Sequence, residues 1–277
     1  MKYKTLLALH PVDLPVSELR SVARLSSAFD AHVDTIVLDL VSPLPTMAFI
    51  QDPDYDWNRS FPEQLETIER HAADVRQFFE EKGVKATVTA EAQQLGLIGY
   101  GVAKIALASD LVVTGSSQSL VNGLMGHALE GALFGAGKPV LVLGKGSTAP
   151  PIEPSEAMIA WDGGPEAGRA VQQALPLLQA AENVRMMIIE ADSNSELEAS
   201  AQRVKAYLQR HDIHPRIEQV APAGRLVANA FAEHVASRGP DLLIMGAYGH
   251  TRLRERLFSG VTRSVLSDFE TPLFLAH

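Results

Sequence analysis

Cysteine is absent from all 277 residues. That excludes disulfide staples, thiolate metal sites and cysteine nucleophiles, and it fits a reducing compartment. Basic excess is absent too. Lys and Arg number 24 against 33 Asp and Glu, a formal charge of −9 at pH 7. A nucleic-acid-binding chain needs a positive footprint, so no nucleic acid partner is expected. Long apolar runs are missing as well. The opening Met1-Lys-Tyr-Lys-Thr leads into an apolar run of about five residues, short of the roughly 7 to 15 of a secretory core segment. No stretch approaches the roughly 20 apolar residues that cross a bilayer. No membrane partner is expected, and a cytoplasmic location is.

What the chain does have is itself twice. Asp110-Leu-Val-Val-Thr-Gly115 recurs as Asp241-Leu-Leu-Ile-Met-Gly246, and Lys138-Pro-Val-Leu-Val-Leu143 as Thr271-Pro-Leu-Phe-Leu-Ala276. Leu7-Ala-Leu-His10 pairs with Ile159-Ala-Trp-Asp162. Apolar residues make up 46% of the chain, enough for two cores.

Each half alternates short β-rich apolar runs with longer helical patterns. Strands are read at 4–9, 33–39, 85–90, 110–115 and 139–143, then at 156–161, 184–190, 215–220, 241–246 and 272–276. Helices are read at 15–30, 62–82, 95–107 and 124–135, then at 165–180, 195–211, 224–238 and 257–267. Continuous apolar strands alternating with helices predict parallel sheets covered on both faces. Right-handed crossovers then make each half a doubly wound, five-stranded α/β domain. The expected domains are 1–144 and 156–277. Between them, Gly144-Lys-Gly-Ser-Thr-Ala-Pro-Pro-Ile-Glu-Pro-Ser155 holds three prolines and two glycines, a semi-stiff linker.

The halves differ in length at one place. His10 to Asp110 is 100 positions and Asp162 to Asp241 is 79, a surplus of 21. It falls in a Pro-, Asp- and aromatic-rich stretch at about 41–62, read as a long inserted loop. Such a loop is a lid, a binding loop or disordered, or its Phe49, Tyr55, Trp57 and Phe61 fold back onto the sheet or the partner repeat.

The second half carries a phosphate-binding pattern. Asp241–Met245 reads as a buried strand, Gly246-Ala-Tyr-Gly249 as the turn leaving it, and Ser259-Gly-Val-Thr262 as the start of a helix. Glycines let a ligand approach the backbone, and a helix start offers free N–H groups and a positive dipole end to an anion. Asp162 follows the first strand of this half. Ligands of open α/β sheets bind where the winding reverses, and if the first and fourth strands flank that point, Asp162 and Gly246 share one crevice. Asp162 there accepts hydrogen bonds from a ribose or base, or else caps the helix starting near Pro165. His250, Arg252, Arg254, Arg256 and Arg263 make the region locally basic, which suits phosphates or else forms a solvated face paired with Glu255, Asp268 and Glu270. His211 and His214 find no third ligand, so no metal site is assigned. No Ser-His-Asp set, Walker lysine or paired carboxylate appears, so no catalytic residue is named.

The chain resembles the universal stress protein family in its tandem form. Ile159-Ala-Trp-Asp-Gly-Gly-Pro-Glu-Ala-Gly-Arg-Ala170 is similar to the family's first strand and helix. Asp241 to Arg263 is similar to its signature, which reads Gly, two residues, Gly, nine residues, then Gly and Ser or Thr. This chain departs from it with Ser259 before Gly260. In the first half His10, Gln118 and Gly126-His127 stand at the places taken as matching Asp162, Gly249 and Ser259-Gly260.

The resemblance implies an adenine nucleotide alpha hydrolase-like fold, two domains packed about a pseudo-twofold axis, with the last strands of the two repeats pairing at the interface. It implies ATP, AMP or ADP as the cofactor, with or without Mg2+. Asp162, with Ala160 and Trp161, would contact the adenosine, and Ile189 would border the adenine. Gly246 and Gly249 would shape the loop under the ribose and phosphates, with His250 and Arg252 beside it. Ser259, Gly260, Val261 and Thr262 would present N–H and hydroxyl groups to the phosphates. The implied function is a stress-response sensor or regulator acting through a protein partner. The alternatives are a slow ATP hydrolase and an interaction protein that binds no nucleotide. One chain is an internal pseudo-dimer, with a further homodimer left open.

Overall fold

A computed structural model of the chain describes residues 2–41, 57–115, 123–144, 151–189, 195–222, 224, 226–247 and 271–277, with the backbone alone at 57–60 and 228. The first repeat runs β1 (Thr5–Pro11), a 3-10 turn (Val16–Leu19), α1 (Arg20–Phe29), β2 (His32–Leu40), α2 (Trp57–Glu81), β3 (Ala86–Gln93), α3 (Leu95–Ala106) and β4 (Leu111–Thr114). It closes with α4 (Leu124–Glu130), a π-helical turn (Gly131–Gly135) and β5 (Val140–Val142). The second repeat runs β6 (Glu156–Ala160), α5 (Pro165–Gln173), α6 (Leu175–Leu178), β7 (Asn183–Ile189), α7 (Ser195–Gln209) and β8 (Arg216–Val220). It continues with α8 (Val227–Arg238), β9 (Leu242–Gly246) and β10 (Leu273–Ala276).

The strands form one ten-stranded sheet in the order β3-β2-β1-β4-β5-β10-β9-β6-β7-β8. Each half is parallel, and the halves meet where β5 and β10 pair antiparallel through Val142 with Leu273, Leu141 with Phe274 and Val140 with Leu275. Central strands are buried on both faces because helices cover both. Leu6, Ala8, Val113, Ile159 and Phe274 face one apolar layer, and Leu7, Leu9, Val112, Met158 and Leu243 the other. The outermost strands β3 and β8 are half-exposed and carry Thr, Glu, Gln and Arg, the composition that keeps an open edge from recruiting another chain.

The seam is also tied by Tyr3. Its hydroxyl donates to the Gln173 carbonyl at 2.7 Å, across from the first repeat to α5 of the second. Burial, with Asp110 adding to it, raises the phenol's pKa well above its ordinary value. In the second repeat Arg185 on β7 bridges Glu156 on β6 and Glu218 on β8, and His234 and Arg238 of α8 reach the same Glu218. This ties three strands and one helix together by charge. Burial raises the Glu218 pKa, but hydrogen bonds from Arg185 and His234 outweigh it and the net shift is downward.

Three sequence expectations are corrected. The helix read at 165–180 breaks into α5 and α6, because Pro176 offers no N–H to continue it. Helix α2 starts at Trp57 and runs through Pro62, so residues 57–61 of the expected loop are helical. The rest of that loop, 42–56, lies outside the described residues.

The third correction concerns the repeat register. Thr5 N–H donates to the Asp110 carboxylate at 3.0 Å, and Glu156 N–H to the Asp241 carboxylate at 3.1 Å. Asp110 and Asp241 N–H return bonds of 2.9 Å to the Thr5 and Glu156 carbonyls. Thr5 is therefore the counterpart of Glu156. It follows that His10 matches Trp161 and Pro11 matches Asp162, one residue away from the alignment read from sequence. The paired separations are 105 and 85, a surplus of 20.

Candidate functional site

In each repeat the chain winds outward from the first strand through the second and third, then returns to lay the fourth on its other side. The reversal in the second repeat falls between β6 and β9, where Ala160 pairs with Met245. Asp162 and Gly246 thus leave adjacent parallel strands at the same carboxyl edge, as the sequence required for a shared crevice.

Asp162 is exposed there. Its Oδ1 accepts from Gly164 N–H at 2.8 Å, closing a turn that sets up the start of α5. Gly163 takes φ +80°, the left-handed region that favours glycine, and a side chain on it would press on Leu197 of α7. Gly164, not Asp162, occupies the helix-cap position. Asp162 acts one step earlier, and among the described residues its second oxygen has no hydrogen-bond partner.

Gly246 has a packing reason of its own. A Cβ there would lie 2.6 Å from the Ala167 nitrogen and 2.7 Å from the Glu166 carbonyl carbon. The first turn of α5 thus sits directly on the end of β9. One Glu166 carboxylate oxygen in that turn is buried without a hydrogen bond.

The other expected residues divide. Trp161 is buried in the layer beneath α7 and donates through Nε1 to Ser200 Oγ at 2.9 Å, so its ring turns away from the crevice. Ala160, Ile189 and Met245 face the opposite layer, half-buried beside Val220 and Phe231. They present an apolar surface at the strand ends, next to Asp162 and Gly246. Gly249, His250, Arg252, Ser259, Gly260, Val261 and Thr262 lie outside the described residues.

The matching place in the first repeat is built differently. Pro11 offers no side-chain acceptor where Asp162 stands. His10, the counterpart of Trp161, is buried and meets His71 of α2, with the two Nε2 atoms 3.0 Å apart and the ring planes within 11°. Burial chiefly, and His71 next, push the His10 pKa down to about 4, against a hydrogen bond to the Leu14 backbone that raises it. His10 is thus neutral near pH 7. The pair was not foreseen from sequence, since residues 61 apart give no local signal. Gln118 lies outside the described residues.

No helix among the described residues is long and apolar enough to cross a membrane. No curated protein matches the sequence. The model of the universal stress protein family matches residues 156–277. Among solved structures, a universal stress protein from Archaeoglobus fulgidus DSM 4304 is similar at 16% identity and TM-score 0.72, over 98% of this chain and 95% of that one. A protein from Pseudomonas aeruginosa UCBPP-PA14 assigned to the same family is similar at 14% identity and TM-score 0.59, over 99% and 93%. At these identities the likeness establishes the fold, here for both repeats together. Residues 156–277 belong to the universal stress protein family, and the first repeat lays the same fold ahead of them as a tandem.

Proposed function

We propose that the second repeat binds one adenine nucleotide, ATP or its ADP and AMP relatives, and that the protein uses it as a stress-response sensor or regulator acting through a protein partner. The observation that carries this reading is the meeting of Asp162 and Gly246 on adjacent strands at the winding reversal. A carboxylate oxygen without a hydrogen-bond partner among the described residues lies at the same strand ends as an apolar surface of Ala160, Ile189 and Met245. An apolar surface with a few placed polar groups suits a flat base joined to a sugar. Gly246-Ala-Tyr-Gly249 and Ser259-Gly-Val-Thr262, which lie outside the described residues beyond Ala247, follow in sequence and would supply the N–H groups that phosphates need. Ser259-Gly260 stands in reversed order relative to the family signature, and the backbone N–H groups serve in either order. Mg2+ would travel with the phosphates; the described residues contain no cluster of three or more metal-binding side chains.

A second reading has its own support. Asp162 already closes a turn, and Gly246 is already demanded by α5. Both residues would then serve the fold of an interaction protein that takes no nucleotide. Calorimetry of the full chain with ATP and magnesium separates the two. The nucleotide reading expects a stoichiometry near one per chain, because Pro11 in the first repeat offers no side-chain acceptor. It also expects Asp162→Ala to weaken binding about 10- to 150-fold, the loss of about 1.5 to 3 kcal/mol of charged hydrogen bonding. No binding by the wild type, or two sites per chain, refutes it. Unchanged affinity with a lower melting temperature assigns Asp162 to the turn alone.

A further inference from the structure

The two repeats share a fold, and the α3 stripe differs from the matching stripe of α8, whose own exposed apolar residues, Leu226 and Val227, sit at its N-terminal end. Helices α3 and α8 are counterparts of 12 residues each. Counted from their first residues, α8 presents Asn229, Ala232, Ala236 and Gly239 where α3 presents Leu97, Tyr100, Lys104 and Leu107. The spacing of the α3 set, i, i+3, i+7 and i+10, is one stripe of a helix. Its apolar members are open: Leu97 is 55% exposed, Tyr100 64% and Leu107 62%. Singly exposed apolar residues are ordinary, but a contiguous large set on one helix face marks a contact surface.

Beside the ridge lies a groove of about 530 Å³ between α3 and α4. Its floor is a close helix crossing made by glycine. A Cβ on Gly131 would sit 2.1 Å from the Gly99 carbonyl oxygen, and one on Gly135 would sit 2.7 Å from Ala103 Cβ. The α3 wall carries Lys104, whose ammonium lies 4.4 Å from the Tyr100 ring centre. The α4 wall carries Glu130, 3.7 Å from His127. The face therefore holds a ridge and a groove side by side, and a cation and an anion on opposite walls.

We infer that this face binds a second copy of the chain. A twofold contact uses the same patch on both partners, so the patch must complement itself. Here the Tyr100–Leu107 ridge of one copy enters the groove of the other, and Lys104 of each meets Glu130 of the other. A partner of strongly acidic or basic character would leave one of these two charges opposed. Tyrosine at the centre of the stripe is also the residue type enriched at interface cores. The inference rests on the first repeat and stands whether or not the second binds nucleotide.

Sedimentation velocity of the full chain at tens of micromolar tests it, with a dimer expected. Tyr100→Glu should raise the dissociation constant about 30-fold or more, the range of a central tyrosine anchor. Lys104→Glu should weaken pairing, and Glu130→Lys in the same chain should restore it. The chain has no cysteine, so Leu97→Cys gives a single cross-linking handle, with Asn229→Cys as the matching control on α8. Only Leu97→Cys should yield covalent dimers with a short bis-maleimide, and this readout decides the matter if Tyr100→Glu fails to fold. A monomeric wild type, a dimer indifferent to Tyr100→Glu, or equal cross-linking at both cysteines overturns the inference. So does a monomer that uses this face for a different protein.

Discussion

A methyl group on Gly246 would fall 2.6 Å from a backbone nitrogen of α5, while one on Gly115, its counterpart, would meet among the described residues nothing nearer than a Glu18 carboxylate oxygen at 3.9 Å. Gly246→Ala should therefore cost about 1 to 3 kcal/mol, as overpacking does, and Gly115→Ala should stay within about 0.5 kcal/mol. Urea denaturation of both variants checks this, and equal costs would remove the packing argument. The sequence marked Gly246 for a ligand, because contact with a helix some 80 positions earlier leaves no trace in local spacing. His10 gives a second prediction. Buried with a pKa of about 4 against an ordinary 6.5, it stays neutral in the fold and takes a proton when the chain unfolds. Its contribution is complete above pH 6.5 and is lost as pH falls toward 4, by about 3 kcal/mol in all. His10→Phe should flatten the stability profile over that window relative to the wild type. Parallel profiles would show that the buried imidazole does not titrate as stated.

At the level of elements, the order of strands and helices among the described residues was legible because apolar runs and helical periods alternate; the helix read at 257–267 lies outside those residues. The register between repeats was not. Leu7-Ala-Leu and Ile159-Ala-Trp alternate alike, so sliding one residue costs nothing in pattern. The bonds from Thr5 and Glu156 to the two aspartates fix it, as does the pairing of Leu6 with Leu111 and of Ala157 with Leu242. The start of α2 was hidden for a different reason: proline favours the first turn of a helix, so Pro62 reads as a beginning while the helix passes through it. The glycine turn after β9 gives the prediction at this scale. On the nucleotide reading proposed above, its backbone would come close to the phosphates, and a β-branched side chain would block that approach. Gly249→Val should abolish nucleotide binding in calorimetry, and Gln118→Val, the matching change in the first repeat, should leave it intact. Equal loss in both, or in neither, would move the phosphate cradle elsewhere.

Across the whole molecule, the continuous sheet predicts that the repeats unfold together. Phe274 is fully buried where β10 meets β5, and Phe274→Ala should cost about 3 to 5 kcal/mol. A shared loss, seen as one calorimetric transition shifted as a whole, is the expected outcome. Two separated transitions, with only one of them moved, would mean that the halves fold alone. The pairing of last strands was foreseen through the resemblance; that it joins all ten strands into one layer came from the hydrogen bonds.

The seam has a consequence for how the repeats can change. Leu141 and Phe274 are counterparts, and they pair directly across the axis. In an assembly of identical subunits the same residue would have to face itself there, and every substitution would arrive twice. Joined in one polypeptide, the two positions vary separately, and a smaller side chain can lie against a larger one. The same freedom reaches the crevices. A gene encoding identical subunits must keep both pockets or lose both, whereas a fused gene can retain Asp162 in one arm while the other holds proline at that place and turns its buried polar position over to a pair of imidazoles.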